Sequence, residues 1–355
     1  MAERSADVMK KPKPSPDRRA FYDRIAPHAL TPLWEVLDDL VTPQPHVTTK
    51  PHLWRYSEVR QYMLEAGALL TAEEATRRVL VLENPAFPAQ SKATATLFAG
   101  VQMVLPGEVA PAHRHSQSAL RFVLEGDHGY TAVDGERTTM EPGDFIITPP
   151  WTFHDHGNEG KAPVLWLDVL DAPMVQFFET SFAEPHNDKQ QALHRPEGDA
   201  LARYGAGLLP LEGGKPYGQT APVFSYPYKR TRAALLAASK GAAPDPHLGV
   251  ALRFANPEDG HWAMPTIATW MMYLPAGFKT RPMRSTDGII VAVAEGSGLI
   301  HADDHIMAFG AKDVLAVPNW TWRRFEAKTD CFLFCASDRV VQEKLGYWRE
   351  EKAAR

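Results

Sequence analysis

Residues 107–126 read GEVAPAHRHSQSALRFVLEG and residues 143–158 read GDFIITPPWTFHDHGN. On a strand, alternate side chains project to one face, so His113 and His115 can aim both imidazoles at a single point. Gly126, Gly143 and Pro149 are turn formers that fold the chain back and bring His154 in from a facing strand. A lone His-x-His is weak evidence of a metal site; two such segments in order are much stronger. The runs around them, VLVLENP, TLFAGVQMVLPGE, LRFVLEG, GYTAVDG, DFIITPP and VLWLDVLD, are rich in β-branched and aromatic residues and broken by glycine and proline. That cadence predicts a small antiparallel barrel or sandwich.

The same punctuation returns in a second β-rich block that begins near Met264. Glu125-Gly126 is answered by Glu295-Gly296, Asp144 by Asp313, and PPWTFH (149–154) by PNWTWR (318–323), an internal duplication. The positions answering to His113, His115 and His154 are Met283, Ser285 and Arg323, so the second copy cannot hold a metal as the first does. Upstream, LTPLWEVLDDL and SEVRQYMLEAGALL carry helical spacing, with Thr31 or Ser57 as candidate N-caps. The predicted organisation is a disordered tail (1–17), a helical segment (18–78), a first barrel (79–172), a helix and loop connection including RTRAALLAAS (173–248), and a second barrel with a C-terminal tail (249–355).

Composition narrows the function. The 355 residues are 44% hydrophobic, enough for a sizeable core and two domains. A net charge of −5 argues against nucleic acid or anionic membrane as a partner. Neither a membrane-spanning apolar stretch nor a signal-peptide core is evident, so a cytoplasmic location is expected. Cys331 and Cys335 are the only cysteines, which excludes a disulfide framework and leaves histidine and carboxylate as metal ligands. Both are read as buried structural thiols.

The two spaced segments resemble the paired motifs of the cupin superfamily, whose members are small double-stranded β-helix barrels with a central metal. The fold class expected is therefore mainly β: a bicupin of two jelly-roll barrels with flanking α-helices. One departure matters. Where the cupin pattern usually supplies a glutamate after the second histidine, this chain has Ala119 and Leu120. The protein ligands are then three neutral imidazoles, His113, His115 and His154, which leaves the charge of the metal uncompensated and favours an anionic chelating ligand. Three facial ligands on an octahedral ion leave room for a bidentate substrate and dioxygen. Zinc hydrolase chemistry is the rival for three histidines, but no HExxH helix or obvious general-base glutamate accompanies them.

More specifically, LFAGVQMVLPGEVAPAHRHSQSALRFVLEG, DGERTTMEPGDFIITPPWTFHDHGN, RSTDGIIVAVAEG, WRRFEA and SDRVVQEKLGYWREE resemble the gentisate 1,2-dioxygenases and their relatives acting on salicylate and 1-hydroxy-2-naphthoate, over about residues 20 to 350. The resemblance implies one Fe(II) per chain, dioxygen and a small aromatic 2-hydroxy acid as substrates, and a homotetramer. It further implies ring opening between the carboxyl-bearing and adjacent hydroxyl-bearing carbons, giving maleylpyruvate from gentisate. From another class, a non-catalytic bicupin that binds a small acid is the alternative.

Arg121 keeps the parity of the ligand pair and is expected inside the barrel, pairing with the substrate carboxylate or, alternatively, in a fixed internal salt bridge. His156 shares parity with His154; the resemblance places it beside the metal without ligating it. On VLWLDVL, Trp166 and Asp168 share one face, and Asp168 points into the pocket if the leucine face packs against helices or a neighbouring subunit. The resemblance assigns Gln102 and Asp168 to the active site, and an arginine reaching the pocket to Arg77, with adjacent Arg78 left as the alternative. Phe98, Gly100 and Val79 are candidate pocket-shaping residues.

Overall fold

The computed structural model describes residues 13–212 and 216–354; most of the segment read as a tail, residues 1–12, lies outside the described residues. Pro16 and Asp17, read as tail, instead open the helix Pro16–Ile25, because Ser15 accepts the Arg18 amide and proline suits a first helical turn. The described residues up to His46 form a compact unit by themselves. In it, Tyr22 ties that helix to the helix Leu33–Leu40: its hydroxyl donates to Glu35 and accepts Trp34 Nε1 at 2.8 Å. The second helix starts after Pro32 without a side-chain cap, so Thr31 does not fill that role.

From Val47 onward the chain forms a second unit that holds both barrels. In the first barrel, a six-stranded sheet runs in the order Ser225–Tyr226, Phe145–Thr148, Ala119–Glu125, Val164–Leu170, Phe98–Val104, Val79–Val81. It faces a five-stranded sheet ordered Ala183–Pro185, Val109–His115, His154–Asn158, Gly129–Val133, Glu136–Met140. The second barrel repeats this plan with His52–Trp54, Val314–Val317, Ile289–Glu295, Cys331–Ser337, Ala268–Leu274 and Val250–Arg253 against His305–Phe309, Gly298–Ala302, Arg323–Ala327, Met283–Ser285 and Glu350–Lys352. Among the described residues no helix is long and apolar enough to cross a membrane.

Strand alternation decides where the core sits. Ala99, Val101, Leu120, Phe122, Leu165, Leu167 and Val169 share one buried cluster with Met63 of the helix Tyr56–Leu69 and with Ile290, Phe332 and Phe334 of the second barrel. The leucine face therefore packs against both a helix and the other barrel within the same chain. The opposite face sends Val104, Val123, Val164 and Trp166 into the first barrel, where they meet Met140 and Ile146.

The barrels also exchange edges. His52–Trp54, which precedes the first barrel, pairs with Val314–Val317 of the second; Ser225–Tyr226, which precedes the second, pairs with Phe145–Thr148 of the first. Each strand leads into a helix whose first amide is capped at long range: Tyr56 N donates to Asp313 at 2.9 Å, and Tyr228 N to Asp144 at 2.8 Å. This long-range carboxylate explains why the helix starts at Tyr56 and Ser57 is not its cap. The same helices reach their neighbours through Tyr56 and Arg60 on Glu125, and through Tyr228 and Arg232 on Glu295.

Phe122 stacks on Phe334 across this contact, with ring centroids 4.5 Å apart. Phe122→Ala should destabilise the chain by about 3–5 kcal/mol, the cost of a large buried aromatic truncated in a packed core. Thermal unfolding of the variant should move as a single transition. Two separate transitions, with only one shifted, would show that the barrels fold independently.

Candidate metal centre

Three local features converge His113, His115 and His154. A bulge falls between Ala110 and His113, where Pro111 offers no amide to the ladder, and after it His113 stands in register with His154. Trp151, at φ 58°, then turns the chain and donates its amide to His115 O at 2.7 Å, setting the strand of the third histidine against that of the second. The ligand atoms of the three rings lie within 4.8 Å of one another.

The tautomers are set by the backbone. His115 Nδ1 lies 2.9 Å from Gln117 O, and His154 Nδ1 lies 2.9 Å from Thr152 O. A carbonyl only accepts, so each Nδ1 carries the proton and each Nε2 keeps its lone pair. His154 Nε2 is buried with no hydrogen-bond partner. An orphaned acceptor facing two further imidazoles fits a divalent ion. Burial and neighbouring arginines hold His113 down to about 3, while burial pushes His115 to about 4 and His154 well below its ordinary value. All three are neutral at pH 7, as metal ligation requires.

His156 is placed beside this group, yet both its nitrogens are committed. Arg121 Nη2 donates to its Nε2 at 3.0 Å, so Nδ1 carries the proton and donates to Thr131 Oγ1, also at 3.0 Å. Thr131 in turn donates to the Met140 sulfur. Arg121 itself is inside the barrel as its parity predicts, only 3% exposed, with Nη1 donating to Thr148 Oγ1 and Nε 3.5 Å from Asp168 Oδ1. At that separation the pair is an ion pair without a good hydrogen bond, and the Arg121 Nε–H has no acceptor. Asp168 accepts Trp166 Nε1 at 3.0 Å; burial pushes its carboxyl up to about 6 against the pull of Arg121.

Of the two adjacent arginines, Arg77 is the one that approaches the histidines. The chain turns at Thr76, φ 52°, and Arg77 Nη2 contacts Pro111 O and His113 Nδ1, whereas Arg78 is engaged by Glu108 and Leu70 O. Burial and Arg121 lower Arg77 to about 10. Gln102 is buried on the same strand face as Gly100, with an unpartnered Nε2. Gly100 stands opposite Asp168, and a Cβ there would come 2.6 Å from Val79 and 3.1 Å from the Phe98 ring. Sequence reasoning missed Thr131 and Thr148; their signal is register, since Thr131 pairs with His156 and Thr148 with Ala119, next but one to Arg121.

The second barrel has lost more than the ligands. In its matching registers Gln102, Arg121, Thr131, Thr148, His156 and Asp168 are replaced by Met272, Val291, Ile300, Val317, Phe325 and Cys335. These six positions are apolar, and both cysteines are buried in the cluster that they build.

Residues 100–170 match the Cupin domain family. Over nearly its full length the chain is 49% identical to gentisate 1,2 dioxygenase 1 of Aquipseudomonas alcaligenes, covering 96% of this chain and 98% of that protein. It is 37% identical to a gentisate 1,2-dioxygenase of Streptomyces sp, over 91% of this chain and 92% of the relative. The fold superposes on crystalline salicylate 1,2-dioxygenase from Pseudoaminobacter salicylatoxidans, in adducts with gentisate, at a TM-score of 0.91 and 30% identity, covering 100% of this chain and 99% of that one.

Because the imidazoles are already neutral, divalent-metal binding should require no deprotonation near neutrality. Co(II) titrations should give a log K that is flat from pH 8 to about 5 and falls only as His115 and His113 begin to protonate, towards about 4 and 3. A decline beginning near pH 6.5, the ordinary histidine value, would show that burial does not depress them.

Proposed function

The chain belongs to the gentisate 1,2-dioxygenase family, and from that premise we propose that it opens the gentisate ring with dioxygen, between the carboxyl-bearing and adjacent hydroxyl-bearing carbons, to give maleylpyruvate. The observation that carries this reading is the set of three neutral, inward-facing imidazoles lying beside two arginines, in one barrel only. His113, His115 and His154 would hold one Fe(II) per chain. When bound, Fe(II) supplies the one-electron chemistry that lets ground-state dioxygen react with a closed-shell aromatic ring.

The rest of the task falls to the chain's own residues. Without a carboxylate among the ligands, and with Arg77 and Arg121 close by, the pocket is electropositive and favours a substrate bringing a carboxylate and an ionised hydroxyl. Arg121 pairs with the carboxylate. Two of its five N–H groups are spent on Thr148 and His156, and the remainder includes the unpaired Nε–H. His156 acts through Arg121, holding the guanidinium plane, and does not itself exchange protons with the substrate, since both its nitrogens are occupied. Gln102 offers an unspent amide donor to a substrate oxygen, and Asp168, with a carboxyl near 6, accepts from a ring hydroxyl. Arg77 closes the pocket over His113, and the wall of Phe98, Gly100 and Val79 sets how much ring is admitted.

A homotetramer is supported by the exposed Phe177, Phe178 and Phe182 just beyond the first barrel, an apolar patch suited to burial between subunits. The two free thiols suit a reducing cytoplasm. A second reading, in which a ring lacking the additional hydroxyl is the preferred substrate, is favoured by the likeness to salicylate 1,2-dioxygenase.

Anaerobic Fe(II) loading followed by oxygen-uptake assays should give turnover on gentisate well above that on salicylate or 1-hydroxy-2-naphthoate, with one iron per chain. Uptake with none of the three by iron-replete protein would refute the dioxygenase reading; salicylate as best substrate would select the second one. Arg121→Ala should retain iron but lose on the order of 10²-fold or more in kcat/KM, because a charge-assisted bond is removed and a buried anion left unpaired. Arg121→Lys should recover only part, lacking the two-pronged geometry. An alanine variant within about twofold of the parent would make Arg121 a purely structural residue.

A further inference from the structure

The barrel without metal ligands carries an unexplained charge at the place of the metal. Arg323 occupies the register of His154, opposite Met283, and is 7% exposed. Nη2 donates to Ser285 Oγ at 2.9 Å, and Nη1 is buried without any partner. Among the described residues no carboxylate forms an ion pair with it; Asp287 and Glu350 act on it only through space. A guanidinium does not deprotonate in a protein, so a full positive charge lies in a space walled by Trp270, Met272, Val291, Phe325 and the neutral Cys335 thiol. A buried charge with no counter-ion in contact is unfavourable.

A second group converges on the same space from another element. His247 precedes the strand Val250–Arg253 as Arg77 precedes Val79–Val81, and it lines this cavity. It is 8% exposed, and its Nδ1 also has no partner. The arrangement inverts that of the first barrel, where the histidines stand on the strands and the arginine comes in from the chain preceding the sheet. The cavity measures about 20 Å³ and has neither Asp nor Glu in its lining. That is room for one water-sized or halide-sized occupant and far too little for an aromatic acid.

We propose that the second barrel binds a single halide-sized anion, held by Arg323 Nη1 and the His247 ring. The anion balances the charge that replaced the third histidine, and the site contributes to the stability of this barrel without taking part in turnover. Chloride is the ion of this class in ordinary supply, whereas water fits the space and leaves the charge unbalanced.

Chloride should therefore stabilise the parent protein when it replaces gluconate, too large for the cavity, at constant ionic strength. The midpoint of thermal unfolding should rise by roughly 2 °C for each tenfold increase above the dissociation constant. In Arg323→Met, where an apolar side chain of similar length fills the site, the midpoint should be independent of chloride, with iron content and kcat/KM within about twofold of the parent. An equal chloride dependence in parent and variant would overturn the proposal. Should the variant fail to fold, crystals of the parent grown in bromide decide the matter. An anomalous peak beside Arg323 Nη1 supports the site; density there without anomalous signal, or no density, refutes it.

Discussion

Phe122, Phe145 and Phe254 gather around Phe334, with Phe122 stacked almost parallel to it, and this aromatic contact joins the six-stranded sheet of one barrel to that of the other. A strand buried on both faces must find apolar partners for at least one of them. In the first barrel the outward face finds them in the helix Tyr56–Leu69 and in the second barrel, which frees the inward face to carry Gln102, Arg121 and Asp168. Removed from that contact, the sheet would keep only the small inner cluster around Trp166 beside its polar groups and would expose an apolar exterior. The second barrel thus supports the chemistry of the first by supplying the hydrophobic burial that the first has given up.

Duplication followed by divergence has left complementary interiors. Six polar residues around the histidines have apolar counterparts in the second copy, so that one lumen became a site and the other largely a core. What both retain is the shared mechanical frame: Trp151 and Trp320 turn the chain at positive φ, and each donates its amide to the strand that carries, or once answered to, the ligand pair. Asp144 and Asp313 each cap the helix that precedes the other barrel in the chain. These reciprocal caps and the exchanged edge strands make the two barrels one cooperative body instead of two beads on a linker.

The site's electrostatics follow from the same economy. Burial keeps the imidazoles neutral and raises the Asp168 carboxyl to about 6, so that at pH 7 it is still mostly ionised beside two charged arginines. The protein therefore presents lone pairs for a cation and, with two arginines against the single Asp168 carboxylate paired to one of them, net positive charge for an anion. A chelating aromatic acid completes both demands at once, and the chain Arg121, His156, Thr131 and Met140 keeps its anchor rigid while it does so.

The sequence by itself determined the group of three histidines, the duplicated barrel plan, the inward direction of Arg121 and Asp168, and the loss of that group in the second copy. All of these rest on the period-two alternation of strands and on turn residues, which are local properties. Tertiary structure alone decided that Arg77 and not Arg78 meets His113, since adjacent residues diverge according to a turn whose direction depends on what each finds to bond. It also decided that His156 is closed off by Arg121 and Thr131, that the helices begin at Tyr56 and Tyr228 on distant carboxylates, and that Gly100 lies bare beneath Val79 and Phe98. A repeated Tyr-x-x-x-Arg at Tyr56 and Tyr228 was visible in the sequence, but its meaning was not. Periodicity gives the face a side chain occupies; the partner on that face is fixed by strand register, by the bulge before His113, and by contacts between residues far apart along the chain.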